Sequence, residues 1–197
     1  MLETYKQSIK KAYSQILLGR TNLMIWENLS NYIANSPEKQ KISPCFIGTT
    51  LESQKNQSIL ALARFYDSRD DCLSADKLII EAFNLLTKTD KREYLEKELS
   101  KWNKRKVKAK PKIKRLKILR NKLLAHNDYN ILSGVKKLSK KERLILKEAN
   151  YLYDLAFSLV EVVHVCFIGS SLAYRYYNEY SDFQNLFLTT DELLTAY

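Results

Sequence analysis

A chain of 197 residues, 45% hydrophobic and 28% charged, is long enough to bury a core and lies outside the compositions of disordered, collagen-like or membrane-embedded proteins. Its net charge of +11 is concentrated: the segment Lys101–Ala125 holds twelve of the 33 Lys and Arg and none of the 22 Asp and Glu, so the rest of the chain is close to neutral. Four Gly and three Pro are too few for a many-turned β protein and favour long helices.

The N-terminal stretch has no continuous apolar run of the kind a secretory signal needs. Instead, Ile9, Tyr13, Ile16, Leu17, Leu23 and Trp26 recur at helical spacing and predict one long helix over the first 35 residues. "NSPEKQKISP", with two prolines, breaks that pattern. A second helix is expected from about Gly48 to Asp67, with Leu51, Leu60, Ala63 and Phe65 as its apolar contacts. Arg64, Asp67, Arg69, Asp70 and Asp71 crowd its end, which predicts a structural salt bridge involving Arg64 or Asp67. Ser74 is placed to cap the helix "ADKLIIEAFNLL", and "REYLEKELSKWN" forms a further helical piece.

Pro111 punctuates the basic segment. Because proline disfavours helical geometry in the residue before it, a fresh helix is expected to start there and to run to about His126. "NDYNILSG" then reads as loop. The last major helix is expected to open with "SKKE", where Ser139 and Glu142 have capping-box spacing, and it is apolar almost all round from Tyr151 to Ile168. Such a helix belongs in the core and is expected to contribute to a dimer interface as well. The run "LAFSLVEVVHVCFIG" is too short for a membrane span and contains Glu161 and His164, so no membrane contact is expected. His164 reads as a hydrogen-bonded core residue, and the late cluster Tyr174, Tyr176, Tyr177 and Tyr180 as packing and interface residues. The expected fold is one all-α bundle, a single domain over residues 1–197.

A base-rich segment of this kind attracts a polyanion, with counterion release if that polyanion is nucleic acid; its ordinary reading is a solvated helix face. With Ile113 set at zero and about 100° added per residue, Leu116, Leu119, Leu123 and Leu124 form one apolar stripe. Arg120 falls inside it, between Leu116 and Leu124, while His126 lies at its far edge. A guanidinium on a buried face needs either an acid, such as Asp128 or Glu161, or a groove that receives anions. The two readings carry equal weight on spacing alone. Residues six apart differ by about 240° around an ideal helix, so Arg120 and His126 converge only if the helix ends or distorts, or if a second subunit supplies one of them.

Cys45, Cys72 and Cys166 are an odd, scattered set, which fits a reduced, cytoplasmic chain. Two histidines and three scattered cysteines make no metal-ligand cluster, and there is neither a phosphate-binding G-x-x-x-x-G-K-[ST] loop nor a dinucleotide glycine pattern, so neither metal nor cofactor is expected. Trp102 is the one stacking candidate in the basic tract, although core packing is its commoner use.

"RNKLLAHND", residues 120–128, resembles the R-N-x-x-x-A-H-x-D form of the motif of HEPN domains, matched at Arg120, Asn121, Ala125, His126 and Asp128. Upstream, "LALARFYDSRDD" followed by "LSADKLIIEAF" is similar to the HEPN subfamily of the abortive-infection U type. The resemblance covers most of the chain. It implies an all-α, HEPN-like bundle with long antiparallel helices, a homodimer that brings two motifs to one cleft, and metal-independent cleavage of RNA in phage defence or a toxin–antitoxin system. Under it, His126 carries protons, Arg120 stabilises charge on the phosphate, Asn121 orients either of them, and Asp128 supports from behind. Lys112, Lys114, Arg115, Lys117 and Lys122 are the residues expected to bind the RNA backbone. RNA, a second copy of the chain, and an antitoxin or regulatory protein are the implied partners. Two rivals stay open: a HEPN module that binds RNA or a protein without catalysis, and a basic helical DNA-binding protein, although no short helix–turn–helix with a polar recognition helix is present.

Overall fold

The computed structural model describes residues 1–35, 44–69, 72–86, 90–121 and 144–169. Among these, five helices and no strand occur: α1 (Leu2–Asn35), α2 (Pro44–Phe65), α3 (Ala75–Leu85), α4 (Asp90–Arg120) and α5 (Leu146–Ile168). The all-α bundle expected from the sequence is the fold observed. Helix α1 follows its predicted periodicity, burying Ile9, Tyr13, Ile16 and Leu23, with Leu17 and Trp26 packed partly against them. Helix α3 starts where its cap predicts: the Ser74 hydroxyl accepts the Lys77 amide at 3.3 Å, satisfying one of the free amides of the first turn.

Three boundaries differ from expectation. Helix α5 begins at Leu146 with Ile145 at its cap position, not at Ser139, since Leu144 and Ile145 are outside the helix. Helix α2 begins at Pro44, four residues earlier than Gly48; proline suits a first turn because its missing N–H has no helical partner there. Helix α4 does not restart at Pro111 but runs through it. Proline at that position forfeits the bond to the carbonyl of Val107, on a face where both residues are exposed. Trp102 and Ala109 before it, and Leu116 and Leu119 after it, are buried in one core. Tertiary packing on both sides of the proline holds the helix together across it.

Helix α5 is the centre. Along α1, Tyr5 meets Phe167 edge-on at 4.7 Å, Tyr13 meets Phe157 at 6.0 Å, and Arg20 bonds the Asn150 side chain. As numbers rise on α1 they fall on α5, so the two helices are antiparallel. The same holds for α4: Lys91 lies beside Cys166, Trp102 beside Leu155 and Arg115 beside Glu148. Ten residues of α5 are buried, His164 among them at 6% exposure, as expected of a core histidine. By length and composition α5 is apolar enough to cross a membrane; 56% of its apolar stretch is buried inside the bundle, where Leu152, Leu155, Leu159, Val160 and Val163 are fully enclosed. The helix ends at Gly169, whose φ of +85° is the left-handed geometry glycine adopts without penalty.

Buried hydroxyl and indole groups latch the helices to one another. Tyr5 donates to the Leu78 carbonyl at 2.6 Å, Tyr66 to Leu152 at 2.7 Å, Tyr153 to Ser58 at 2.7 Å, and the Trp102 indole to Leu155 at 2.8 Å. Trp102 is 3% exposed and is therefore a core residue, not a surface for stacking bases. Where α1, α2 and α5 converge, Gly19 leaves no room for a methyl: a Cβ there would lie 2.5 Å from both the Ala61 Cβ and the Tyr153 hydroxyl.

Candidate functional site

The last turn of α4 meets the chain that leaves α2, and a compact ionic cluster forms between them. Phe65 and Tyr66 anchor the α2 side. Both are buried, their rings pack edge-on at 5.4 Å, and Tyr66 is tied to α5 through its hydroxyl. Asp67, held directly after them, is only 5% exposed. A buried carboxylate so placed requires partners, and three are found among the described residues. One oxygen accepts the Ser68 amide at 2.9 Å; the other accepts Arg69 Nε at 2.9 Å and Arg120 Nη1 at 2.6 Å. Burial pushes the Asp67 carboxyl up, but the hydrogen bonds and charges of Arg69 and Arg120 outweigh it and hold the group below its ordinary range.

Arg120 is the residue that the helical projection places inside the apolar stripe, and its partner turns out to be Asp67, 53 residues away, rather than Glu161. Its Nε and Nη2 both donate to the side-chain oxygen of Asn121, at 3.0 and 2.9 Å. The guanidinium is therefore fixed from two sides. Three of its five N–H groups are committed, leaving one on Nη1 and one on Nη2 without a partner among the described residues. Asn121, expected from the resemblance to orient Arg120 or His126, accepts both the Nε and the Nη2 bond from Arg120. The expected salt bridge at Asp67 also forms, although with Arg69 and Arg120 and not Arg64.

The expected RNA-binding residues divide. Arg115 is paired with Glu148, and the Lys112 ammonium sits 5.2 Å from the centre of the Tyr151 ring, so both cations already serve the α4–α5 contact. Lys114 and Lys117 carry no ion pair to a described residue, and neither do Lys104, Lys108 and Lys110 upstream. Lys122, His126 and Asp128 lie outside the described residues, as do Asp70, Asp71, Ser139, Glu142 and the late tyrosines. Among the described residues, no three His, Cys, Asp or Glu side chains gather in a group able to hold a metal ion.

Asp67 is the component that sequence reasoning did not assign to the site. Its signal was an acid in a charged stretch directly after two aromatic residues; nothing local links it to position 120.

Compared with known families, residues 6–186 match the model of the HEPN family described as AbiU2. Searches of curated proteins and of solved structures returned no match. The match spans most of the chain, and the protein belongs to this HEPN family, an abortive-infection type.

Proposed function

We propose that this HEPN protein is a metal-independent endoribonuclease that acts as a homodimer in phage defence or a toxin–antitoxin system. The observation that carries the reading is the state of Arg120: a guanidinium fixed by Asp67 and Asn121 at the end of a base-rich helix, with two N–H groups unspent among the described residues, six residues before His126. In this reading a His126 imidazole takes the proton from a ribose 2′-hydroxyl. The 2′-oxygen attacks the adjacent phosphorus, the bond to the 5′-oxygen breaks, and a protonated imidazole returns a proton to that leaving oxygen. Arg120 stabilises the charge that builds on the phosphate oxygens in between. The products are a 2′,3′-cyclic phosphate and a 5′-hydroxyl. Two proton transfers per turnover suit a cleft shared by two subunits, each bringing one His126. A histidine of ordinary pKa exchanges protons near neutral pH, which meets the requirement for both roles. An antitoxin or other regulatory protein would restrain the activity.

A second reading has an observation of its own. An arginine locked into an ion pair also fits a purely structural role, as in a HEPN module that binds RNA or a partner without cutting. The experiment that separates them is cleavage of a labelled RNA pool in EDTA by the wild type and by His126→Ala, with the product ends identified. Cyclic-phosphate ends from the wild type alone are expected, with a loss of roughly a thousandfold in the variant. Equal cleavage by both proteins removes His126 from the mechanism, and unimpaired RNA binding without cleavage by either favours the binding module.

A further inference from the structure

Among the described residues, one Asp67 oxygen receives two guanidinium groups, those of Arg69 and Arg120. The three side chains differ in freedom. The Asp67 side chain is 6% exposed and the Arg120 side chain 21%, whereas Arg69 is 61% exposed. Asp67 itself has little latitude, because the preceding Tyr66 is pinned to the Leu152 carbonyl, its own amide bonds the Arg64 carbonyl at 3.2 Å, and the Ser68 amide holds its second oxygen. The geometry is that of a rigid carboxylate that fixes the direction of the Arg120 guanidinium.

We propose that Asp67 is the positioning residue for Arg120: it aims the Nη1 side of the guanidinium while Asn121 holds the Nε–Nη2 side, so that the remaining N–H groups meet a phosphate without rearrangement. The inference rests on the ribonuclease reading above. It assigns catalytic importance to a residue outside the R-N-x-x-x-A-H-x-D stretch, contributed by the chain that leaves α2. Preorganised donors act because they need no reorientation when charge develops, and a misplacement of about an ångström costs roughly a hundredfold in rate.

The test compares wild type, Asp67→Asn and Asp67→Glu by two readouts, at a temperature where circular dichroism shows all three folded. The first is RNA cleavage. Asp67→Asn is expected to lower kcat by roughly a hundredfold with KM little changed, and Asp67→Glu to restore part of it. The second does not depend on cleavage: the Arg120 Nε–H, held on Asn121, should give a slowly exchanging resonance in ¹⁵N spectra, identified by its loss in Arg120→Lys. In Asp67→Asn that resonance should move toward the position of solvated arginines. An unmoved resonance together with unimpaired kcat overturns the proposal, and so does a loss of activity that only tracks the unfolded fraction. If the wild type cuts no RNA, the ribonuclease reading fails first and the catalytic meaning of Asp67 falls with it. The resonance then reports separately whether Asp67 holds Arg120.

Discussion

Across the middle of the bundle, buried Tyr5, Tyr66, Tyr153 and Trp102 each donate one hydrogen bond to a backbone carbonyl, whereas at the junction of α2 and α4 a buried carboxylate gathers two guanidinium groups. Both arrangements tie distant helices together. The first consists of neutral groups whose donors are spent within the fold, each bond contributing about 1 kcal/mol net. The second brings charges out of water, which is costly, and leaves two N–H groups of Arg120 without a partner among the described residues. A well-packed apolar contact would join the helices with less electrostatic cost. The difference teaches where to look for function: polar contacts that stabilise the fold close on themselves, and those that serve chemistry retain donors.

The largest expected effect on stability lies in the neutral region. Gly19→Ala places a methyl 2.5 Å from the Ala61 Cβ and from the Tyr153 hydroxyl, and neither neighbour is the free end of a flexible chain. A loss of about 3 kcal/mol is expected in urea unfolding, with RNA cleavage per folded molecule unchanged. Selective loss of cleavage with stability intact would erase the division between the two regions.

A second, smaller effect separates them by pH. Asp67 has a folded-state pKa below its ordinary value, so its contribution is complete above about pH 4 and fades as pH falls toward the lower folded-state value. Burial raises the pKa of Tyr5, Tyr66 and Tyr153, so their contribution is complete below about pH 10 and fades above it, as the unfolded chain loses phenolic protons first. Thermal midpoints against pH should show Asp67→Asn flattening the acid limb alone and Tyr153→Phe the alkaline limb alone. An acid limb identical in wild type and Asp67→Asn would mean that the ion pairs add nothing to the fold.

Much of this architecture was legible in the sequence because helical periodicity and caps are local signals. The stripe of α1, the Ser74 cap and the apolar girth of α5 each lie within a few turns of chain, and the helices formed there. Pro111 misled because a local rule about one residue was overruled by burial of Trp102, Ala109, Leu116 and Leu119 on either side. The candidate site was half legible. The projection that put Arg120 among leucines showed that it needed a partner, and its neighbour Asn121 stood beside it in the sequence. Asp67 was out of reach, since a pair 53 residues apart is set by how α2 and α4 pack, not by any local pattern. Gly19 was equally silent, because its role exists only where three helices meet.

The smallest expected effect sharpens the same contrast along the basic face of α4. Lys110, Lys114 and Lys117 fall within about 60° of one another around the helix, and none has an ion pair to a described residue. Lys112 and Arg115, by contrast, are engaged by Tyr151 and Glu148. Cations that are already paired release few counterions when a phosphate approaches, so the unpaired lysines should carry most of the salt dependence of RNA binding. For a single strand, the slope of log K against log salt should fall by about 0.7 for each phosphate that a lysine no longer neutralises. Changing Lys110, Lys114 and Lys117 together to Gln should therefore flatten that slope by up to about 2. Arg115→Gln should leave the slope nearly unchanged and lower the thermal midpoint instead, since it breaks an ion pair between α4 and α5. Fluorescence anisotropy on a short single-stranded RNA at several salt concentrations, with His126→Ala to prevent cleavage, measures both slopes. Equal slopes for the two variants would mean that the RNA follows another face, and that the charge on this one serves only to keep α4 solvated.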